Sequence, residues 1–357
     1  MRPQTETDLS DMVRKAGPLA IRGGGTRGIM RAKGTVLETG GLSGVELYEP
    51  GALTLVARAG TPMAEIEALL AGERQRLAFE VPDMRALLGR DGTSTIGGVV
   101  ATNASGPRRV QVGACRDALL GVRFVDGTGA VIKNGGRVMK NVTGYDLVKL
   151  LAGSQGSLGV LTGVAFKVQA LPEAAVTLVS QRGLIAGLAA LRAALGSPYD
   201  ISGAGYAQGC AMIRVEGMAG SVAYRAGALE QALGGDWQRV DGAALWQDLR
   251  DVRGFAGVAG AVWRLAVKPS EAGRIVADLG LEAMVDWGGG LVWLLDPLGT
   301  ADVRAAVAGH GHATLMRALP GMTATVFPPE AAAVAVLTAG LRAKFDPRGI
   351  FNPEMMG

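Results

Sequence analysis

The chain has 357 residues, of which 48% are apolar and 55 are glycine, and this length allows two domains. Its net charge of +4 comes without a long basic block, which argues against nucleic-acid binding, and its two cysteines exclude a cysteine-ligated iron–sulfur cluster within this chain. The longest apolar runs fall short of the ~20 residues of a transmembrane helix, and we recognise no signal peptide, so we predict a cytoplasmic protein.

Short strands and helices around glycine loops are predicted for residues 1–172. Strands are expected at 19–22, 36–39, 44–49, 53–59 and 160–168, a hairpin at 119–133, and helices at 5–16 and 144–151. A further helix is predicted after Thr61 and Pro62, with Thr61 as its N-cap.

The order of elements changes beyond Pro172. Two successive β-α-β-β units are predicted, the first followed by a further helix, at 176–233 and 261–295, and they are of the split-βαβ type. A long alanine-rich helix is expected from Pro328 to about Phe345. We therefore predict three parts, residues 1–172, 173–327 and 328–357, with the last part returning to the first.

Three glycine-rich segments carry the chemical information. The first is Arg22-Gly-Gly-Gly-Thr-Arg27, whose consecutive amides and flanking arginines can form a nest for a pyrophosphate. It is neither a Walker A motif nor a Rossmann fingerprint. An ordinary tight loop is the alternative, because glycine is common in turns.

The other two segments are more distant in the sequence. Thr93–Gly106 combines Thr95, Gly97, Gly98, Asn103 and Gly106 beside an apolar stretch. A glycine-rich turn followed by a capped helix is the alternative, but the density of hydroxyl and amide groups favours the wall of a cofactor site. Gly153-Ser-Gln-Gly-Ser-Leu-Gly-Val160 places polar residues among three glycines before a strand. Together, the three segments predict one long polyphosphate cofactor held largely by backbone groups.

The chain resembles the vanillyl-alcohol-oxidase/PCMH-type FAD-binding family, and within it the FAD-binding subunits of bacterial glycolate oxidase. The resemblance rests on the three segments together with Gly113-Ala-Cys-Arg-Asp117, Gly144-Tyr-Asp-Leu147 and Phe345-Asp-Pro-Arg-Gly-Ile-Phe-Asn-Pro353. It covers residues 18–172 and the C-terminal motif well, and the middle region loosely.

The resemblance implies an α+β fold, with a two-part PCMH-type FAD-binding domain and a smaller, reduced ferredoxin-like cap. It implies FAD, bound non-covalently because no His or Cys stands in the first loop. The residues that would bind FAD are Arg22, Gly23, Gly24, Gly25, Thr26, Arg27, Thr95, Gly97, Gly98, Asn103, Gly106, Gly156, Gly159, Val160 and Asn352. Cys115 lies near a family motif, and we interpret it as a buried, unreactive thiol.

Two departures from the family affect catalysis. Related 2-hydroxy-acid dehydrogenases have a glutamate where this chain has Gln155, and their caps carry a His/Glu metal cluster. Here the only histidines are His310 and His312, so we predict no metal site. His312 is a candidate general base or a strand histidine without a catalytic role.

Two arginines on apolar strands, Arg264 and Arg317, are candidates for binding a substrate carboxylate. Either could equally pair with an internal acid, because a buried guanidinium requires a partner. Of the two, Arg264 is preferred. The five tryptophans all lie in the second half and are interpreted as core or subunit interface.

The implied function is that of a flavin subunit in a glycolate (2-hydroxy acid) oxidase complex. Its implied partners are a second FAD subunit, an iron–sulfur subunit and a small 2-hydroxy acid, with peripheral association at the inner membrane face through the complex. Two alternatives stay open: an assembly or electron-relay subunit with structural FAD, and a stand-alone FAD-dependent oxidoreductase acting on another small acid.

Overall fold

Three β-sheets organise the computed structural model, which describes residues 1–28, 33–137, 144–353 and 355. The smallest sheet pairs β1 (Leu19–Arg22) with β2 (Thr35–Glu38) in parallel. The motif Gly144-Tyr-Asp-Leu147 lies within the described ranges, whereas residues 138–143 before it lie outside them.

A six-stranded antiparallel sheet forms the centre of the first half. Its strands are β3 (Val45–Glu49), β4 (Thr54–Arg58), β5 (Gln75–Leu77), β6 (Leu119–Val125), β7 (Val131–Gly135) and β8 (Val160–Ala170). The order is β3-β4-β8-β6-β7, and β5 pairs with the far end of β8. The predicted hairpin of β6 and β7 is confirmed.

Seven helices surround these two sheets. They are α1 (Glu6–Lys15), α2 (Met63–Gly72), α3 (Arg85–Leu88), α4 (Ile96–Ala101), α5 (Arg109–Val112), α6 (Cys115–Ala118) and α7 (Leu147–Leu151). Thr61 is not the N-cap of α2, because its hydroxyl donates to the carbonyls of Arg58 and Gly44. Pro62 occupies the cap position instead.

An eight-stranded antiparallel sheet forms the second half. Its strands are β9 (Ala174–Gln181), β10 (Gly203–Ala207), β11 (Cys210–Gly217), β12 (Gln238–Val240), β13 (Ala261–Val267), β14 (Glu282–Asp286), β15 (Leu291–Asp296) and β16 (Gly311–Arg317). The order is β12-β9-β11-β10-β14-β15-β13-β16, so each half of the sheet repeats the ferredoxin-like order 4-1-3-2.

The two predicted split-βαβ units are therefore present, but they are not separate. They join edge to edge where Tyr206 of β10 pairs with Val285 of β14, and each gains a fourth strand, β12 or β16. The remaining helices are α8 (Leu184–Leu195), α9 (Ala219–Leu233), α10 (Ala243–Arg250), α11 (Ala272–Leu279), α12 (Val303–Val307) and α13 (Ala332–Phe345).

The two faces of this sheet have different partners. One face packs against α8, α9, α11 and α12 in the largest apolar core. On the other face, Trp246, Phe255 and Trp293 pack with Met84 and Leu87 of the first half. A space between the two halves is thus bounded by strands on one side and by the loops around α4 and α5 on the other.

The last described residues of the chain lie against the first half. The Leu19 amide donates to the Ile350 carbonyl over 2.7 Å, and the Asn352 amide donates to the Leu19 carbonyl over 2.9 Å. Strands up to residue 170 and from residue 174 belong to different sheets, which supports a division near residue 172. Within the described ranges, no helix is long and apolar enough to cross a bilayer.

Candidate functional site

A single cleft collects the three glycine-rich segments, although they lie far apart in the sequence. The residues that line it come from the end of β1, the start of α4 and the loop before β8. They are Ile21, Arg22, Gly23, Gly24, Gly25, Thr26, Arg27, Gly28, Thr39, Ala59, Thr95, Gly97, Gly98, Ala101, Thr102, Ser154, Gln155, Gly156, Gly159, Leu161 and Met355.

The first wall presents free backbone amides. Within the described ranges, the amides of Gly24, Gly25, Thr26 and Arg27 donate to no other group of the protein. Arg22 lies over this loop, because a Cβ on Gly25 would fall 2.6 Å from its Nη2 atom. Consecutive free amides beside an arginine form the anion nest that the sequence predicts.

Arg27 is a half-buried cation without a carboxylate partner among the described residues. Its Nη1 donates to Ser94 Oγ over 2.7 Å and its Nη2 to the Pro82 carbonyl over 2.7 Å. Its Nε is buried and has no partner in the described part of the chain. Burial lowers the pKa of Arg27 to about 10, so the group stays charged at neutral pH. An anion in the cleft would compensate this charge.

The second wall is the start of α4, where three neighbouring residues differ in role. Thr95 caps the helix by accepting from the Gly98 amide, and the Gly97 amide donates to the Ala59 carbonyl over 2.7 Å. A Cβ on Gly97 would fall 2.7 Å from Ala59, so this glycine serves internal packing. Gly98 is different, because a Cβ there would approach only Thr95 Oγ1, at 3.3 Å.

The third wall is held in place by the C-terminal tail. Asn352 is 2% exposed; its Oδ1 accepts from the Ile21 amide over 2.7 Å and its Nδ2 donates to the Gln155 carbonyl over 2.7 Å. Asn352 therefore connects two walls from behind and is not itself among the lining residues. Val160 is fully buried in an apolar cluster with Phe351, so its side chain also lies behind the cleft.

A second pocket opens next to the cleft, between the two halves of the chain. The two cavities share Arg27, Thr102 and Gln155. The pocket, of about 390 Å³, has a volume typical of a small-molecule site. From the first half it is lined by Arg27, Pro82, Met84, Thr102, Asn103, Ala104, Ser105, Gly106, Arg109, Gly153 and Gln155.

Asn103 and Gly106 thus lie on the second pocket and not in the cleft proper. The Asn103 side chain accepts from the Arg116 amide over 3.0 Å, and the Gly106 carbonyl accepts from the Trp287 indole over 3.1 Å. From the second half the pocket is lined by Leu249, Arg250, Arg264, Ala266, Asp286, Trp287, Leu291, Trp293, His312, Thr314, Met316 and Phe327.

Two candidates from the sequence, Arg264 and His312, meet in this pocket. They stand on the adjacent strands β13 and β16, where Arg264 pairs with Thr314 and Ala266 with His312. Burial lowers the pKa of Arg264 to about 10. Burial, and then the nearby Arg264 charge, lower the pKa of His312, so this imidazole is neutral at pH 7 and able to accept a proton.

Arg317 requires a correction, because its guanidinium is used by the protein's own backbone. It donates to the carbonyls of Gly260, Leu87, Phe255 and Val258, and it does not line the pocket. Within the described ranges, no group of three or more His, Cys, Asp or Glu side chains is arranged to hold a metal ion.

A buried ion network joins the two halves beside the pocket. Glu216 on β11 accepts from Arg76 over 2.8 Å and from Arg108 over 3.0 Å, while Arg214 donates to Glu80 over 2.8 Å. These arginines hold the pKa values of Glu80 and Glu216 below their ordinary range against the opposing effect of burial. The network fixes the position of the eight-stranded sheet relative to the cleft.

Comparison with known proteins identifies the family. The FAD binding domain model matches residues 1–135. Glycolate oxidase subunit GlcE of Escherichia coli strain K12 is 36% identical over 343 residues, which are 95% of this chain and 92% of that protein. The chain belongs to the GlcE family.

Other relatives of this GlcE-family chain match over shorter stretches. Glycolate oxidase subunit GlcD of Bacillus subtilis is 40% identical over 87 residues, 24% of this chain and 18% of that protein. D-lactate dehydrogenase of Anaerostipes hadrus is 41% identical over 86 residues, with the same two coverages of 24% and 18%. The solved structure of alkyldihydroxyacetonephosphate synthase superposes with a TM-score of 0.69 and 16% identity, over 100% of this chain and 77% of that one.

The predicted PCMH-type α+β fold and the predicted cofactor, FAD, are confirmed. The cleft suits this cofactor on three structural grounds: the free amides of residues 24–27, the unpartnered Arg27 Nε, and the open space beside Gly98. The pyrophosphate would be held by the first wall, because it alone combines free amides with cationic side chains.

Sequence reasoning missed two residues of the second pocket. Arg109 follows the motif that ends at Gly106, and Trp287 precedes Gly288 and Gly289. The Arg109 Cζ lies 4.5 Å from the centroid of the Trp287 ring, and the Arg264 Cζ lies 5.6 Å from it. The glycines after Trp287 were the one available signal for an unusual backbone at this point.

Proposed function

We infer that this chain is the FAD-binding subunit of a glycolate (2-hydroxy acid) oxidase complex, and that a small 2-hydroxy acid occupies the second pocket. The observation that carries the inference is the junction of the flavin cleft with a cationic pocket at Arg27, Thr102 and Gln155. The relationship to GlcE, a glycolate oxidase subunit by name, supports the same substrate class.

FAD, when bound, supplies the hydride acceptor for oxidation of the hydroxyl-bearing carbon. The chain's own residues bind and orient the substrate. Arg264 takes the substrate carboxylate, because its half-buried guanidinium faces the pocket without a carboxylate partner among the described residues. His312, which is exposed, lines the pocket and is neutral at pH 7, receives the hydroxyl proton.

We propose the following roles for the residues that the sequence predicts to bind FAD. Those that line the cleft contact the cofactor directly: Arg22, Gly23, Gly24, Gly25, Thr26, Arg27, Thr95, Gly97, Gly98, Gly156 and Gly159. Asn103 and Gly106 face the adjoining pocket, and Val160 and Asn352 support the walls from behind. Binding is non-covalent; burial raises the pKa of the Cys115 thiol, which leaves it unreactive.

The proposed partners are a second FAD subunit and an iron–sulfur subunit that accepts the electrons. The names of GlcE and GlcD as subunits of one oxidase support a complex of several chains. We propose association with the inner face of the membrane through that complex. The proposed division of the chain is 1–172 for FAD, 173–327 for the cap and 328–357 for the returning tail.

A second candidate is an electron-relay or assembly subunit whose FAD is structural. Gln155 favours it, because an amide stands at the junction of cleft and pocket, where the family resemblance implies a carboxylate in the related dehydrogenases. The missing metal-ligand cluster in the described ranges points the same way.

Anaerobic stopped-flow mixing distinguishes these two functions. Purified chain with bound FAD is mixed with glycolate, alone and after addition of the partner subunits. An active subunit is expected to lose flavin absorbance near 450 nm in both cases, with the loss slowed in Arg264→Gln. Loss only in the presence of partners would establish the relay function, and no loss in either case would contradict both.

A further inference from the structure

Two arginines converge on one indole ring in the second pocket. Arg109 comes from α5 in the first half and Arg264 from β13 in the second, and their Cζ atoms lie 4.5 and 5.6 Å from the Trp287 ring centroid. Stacking on an indole fixes a planar guanidinium while leaving its N–H groups available.

Neither guanidinium is neutralised by the protein. Within the described ranges, no hydrogen bond or ion pair joins the side chain of Arg109 or Arg264 to another residue. Burial lowers the pKa of both groups, and Arg109 contributes to the lowering at Arg264 by like-charge repulsion. Asp117 acts on Arg109 only electrostatically, without an ion pair or hydrogen bond to it in the described part of the chain. Two like charges held in one pocket without an ion-paired acid are costly unless a ligand brings the opposite charge.

The other ionisable groups of the pocket do not supply that charge. Arg250 is already paired with Asp251 at 2.7 Å. Among the described lining residues the single carboxyl is that of Asp286, which is 2% exposed; burial raises its pKa to about 8, so it is protonated at neutral pH. Arg27 extends into the flavin cleft. Two positive charges are therefore left for the ligand of the pocket itself.

Trp287 is placed by both halves of the chain. Its indole N–H donates to the Gly106 carbonyl over 3.1 Å, and its backbone amide donates to the Asp286 carboxyl over 2.7 Å. Its φ of +54° is left-handed, a strained conformation for a bulky residue that is found preferentially at functional sites. Trp287 is thus a positioning residue for the two arginines.

We propose that Arg109 is a second carboxylate-binding residue, and that Arg109, Trp287 and Arg264 form an anion site that prefers an organic acid with two carboxylates. The inference rests on the proposed function for the nature of the ligand, a small organic acid. It goes further by assigning a residue of the first half to substrate binding and by selecting the dicarboxylate members of the class.

Calorimetric titration of the FAD-loaded chain with malonate and with propionate tests this proposal, because the two acids have the same number of carbons. Malonate is expected to bind at least tenfold more tightly. Arg109→Gln and Arg264→Gln should each lower malonate affinity at least tenfold and reduce the malonate-to-propionate ratio to about threefold or less. Arg116→Gln is the matched control, since Arg116 is a neighbouring exposed arginine outside the pocket.

Conservative variants keep the test decisive. Arg109→Lys retains the charge without the planar fork and should lie between wild type and Arg109→Gln. Trp287→Phe retains an aromatic ring and should preserve the ratio of malonate affinity to propionate affinity, whereas Trp287→Leu should lower this ratio. A general loss of stability would weaken the binding of both acids and would leave the ratio unchanged. Equal affinity for the two acids, or an Arg109→Gln ratio like that of Arg116→Gln, would overturn the proposal. The titration measures binding and involves no turnover, so its result does not depend on whether the chain oxidises glycolate.

Discussion

Gly98 allows the flavin cleft to be tested separately from the fold. An ideal Cβ on Gly98 lies 3.3 Å from Thr95 Oγ1 and meets no other heavy atom within 4 Å outside its chain neighbours and its own helix backbone. The residue is part of α4 and its backbone is helical. Alanine at this position requires Thr95 Oγ1 to move by a few tenths of an ångström, which offsets the gain in helix propensity. The free energy of unfolding of the apoprotein is therefore expected to stay within about 1 kcal/mol of the wild-type value.

The same methyl group would crowd the bound cofactor, because its free side faces the cleft. Overpacking of a close contact costs about 1–3 kcal/mol, which corresponds to a roughly 5- to 150-fold weaker affinity. Gly98→Ala should thus weaken FAD binding by that factor without destabilising the apoprotein. Gly72→Ala is the matched control, since Gly72 ends α2 and its Cβ would meet nothing within 4 Å.

Two measurements are needed on FAD-free protein. Chemical denaturation followed by circular dichroism gives the free energy of unfolding, and quenching of FAD fluorescence gives the affinity. If Gly98→Ala binds FAD as tightly as Gly72→Ala and unfolds normally, the placement of α4 against the cofactor is refuted. A destabilised apoprotein would instead show that the space beside Gly98 is filled by the protein.

Three further predictions concern the connections around the site. Glu216→Gln removes the acid shared by Arg76 and Arg108 and should lower the free energy of unfolding by about 3–5 kcal/mol. The control Glu230→Gln removes the acid of a surface pair and should lower it by at most about 1 kcal/mol. Equal denaturation midpoints for the two variants would contradict this prediction. Burial raises the pKa of Asp286 from its ordinary value of 3.8 to about 8 in the folded state. The proton that the folded state retains therefore contributes its full stabilisation below pH 3.8, and this contribution is lost as the pH rises from 3.8 through 8. The free energy of unfolding of the wild-type protein should fall by about 1.4 kcal/mol per pH unit between these values. Chemical denaturation from pH 5 to 8 should show this slope for the wild type and should not show it for Asp286→Asn. Asn352→Ala leaves the Ile21 amide and the Gln155 carbonyl without partners, at about 1–3 kcal/mol each; co-purified FAD should be lost, and an unchanged FAD content would argue against this connection.

The glycine segments were predictable from the sequence, but the reason for individual glycines was not. The sequence suggests that each glycine lets backbone approach a ligand. In the structure, a Cβ on Gly24 would overlap the Thr93 carbonyl, and one on Gly159 would fall 2.6 Å from Phe124. These positions are restricted by the protein itself, which only the tertiary contacts reveal.

Arg264 and Arg317 show a similar limit. Both stand on apolar strands, and the sequence offers no means to separate them. Their surroundings differ because β16 is an edge strand, so Arg317 reaches carbonyls of the loops beside it, whereas β13 lies inside the sheet and Arg264 faces the pocket. Arg109 was missed for a related reason: its partner, Trp287, lies almost half the chain away.

The connection through Asn352 has a consequence for how the protein is made. The two walls that Asn352 joins are synthesised long before it, since Asn352 follows Ile21 by 331 residues and Gln155 by 197. The first wall therefore lacks this support until residue 352 has emerged from the ribosome, although every glycine of the three segments is synthesised earlier. A nascent chain stalled before residue 352 is expected to remain colourless.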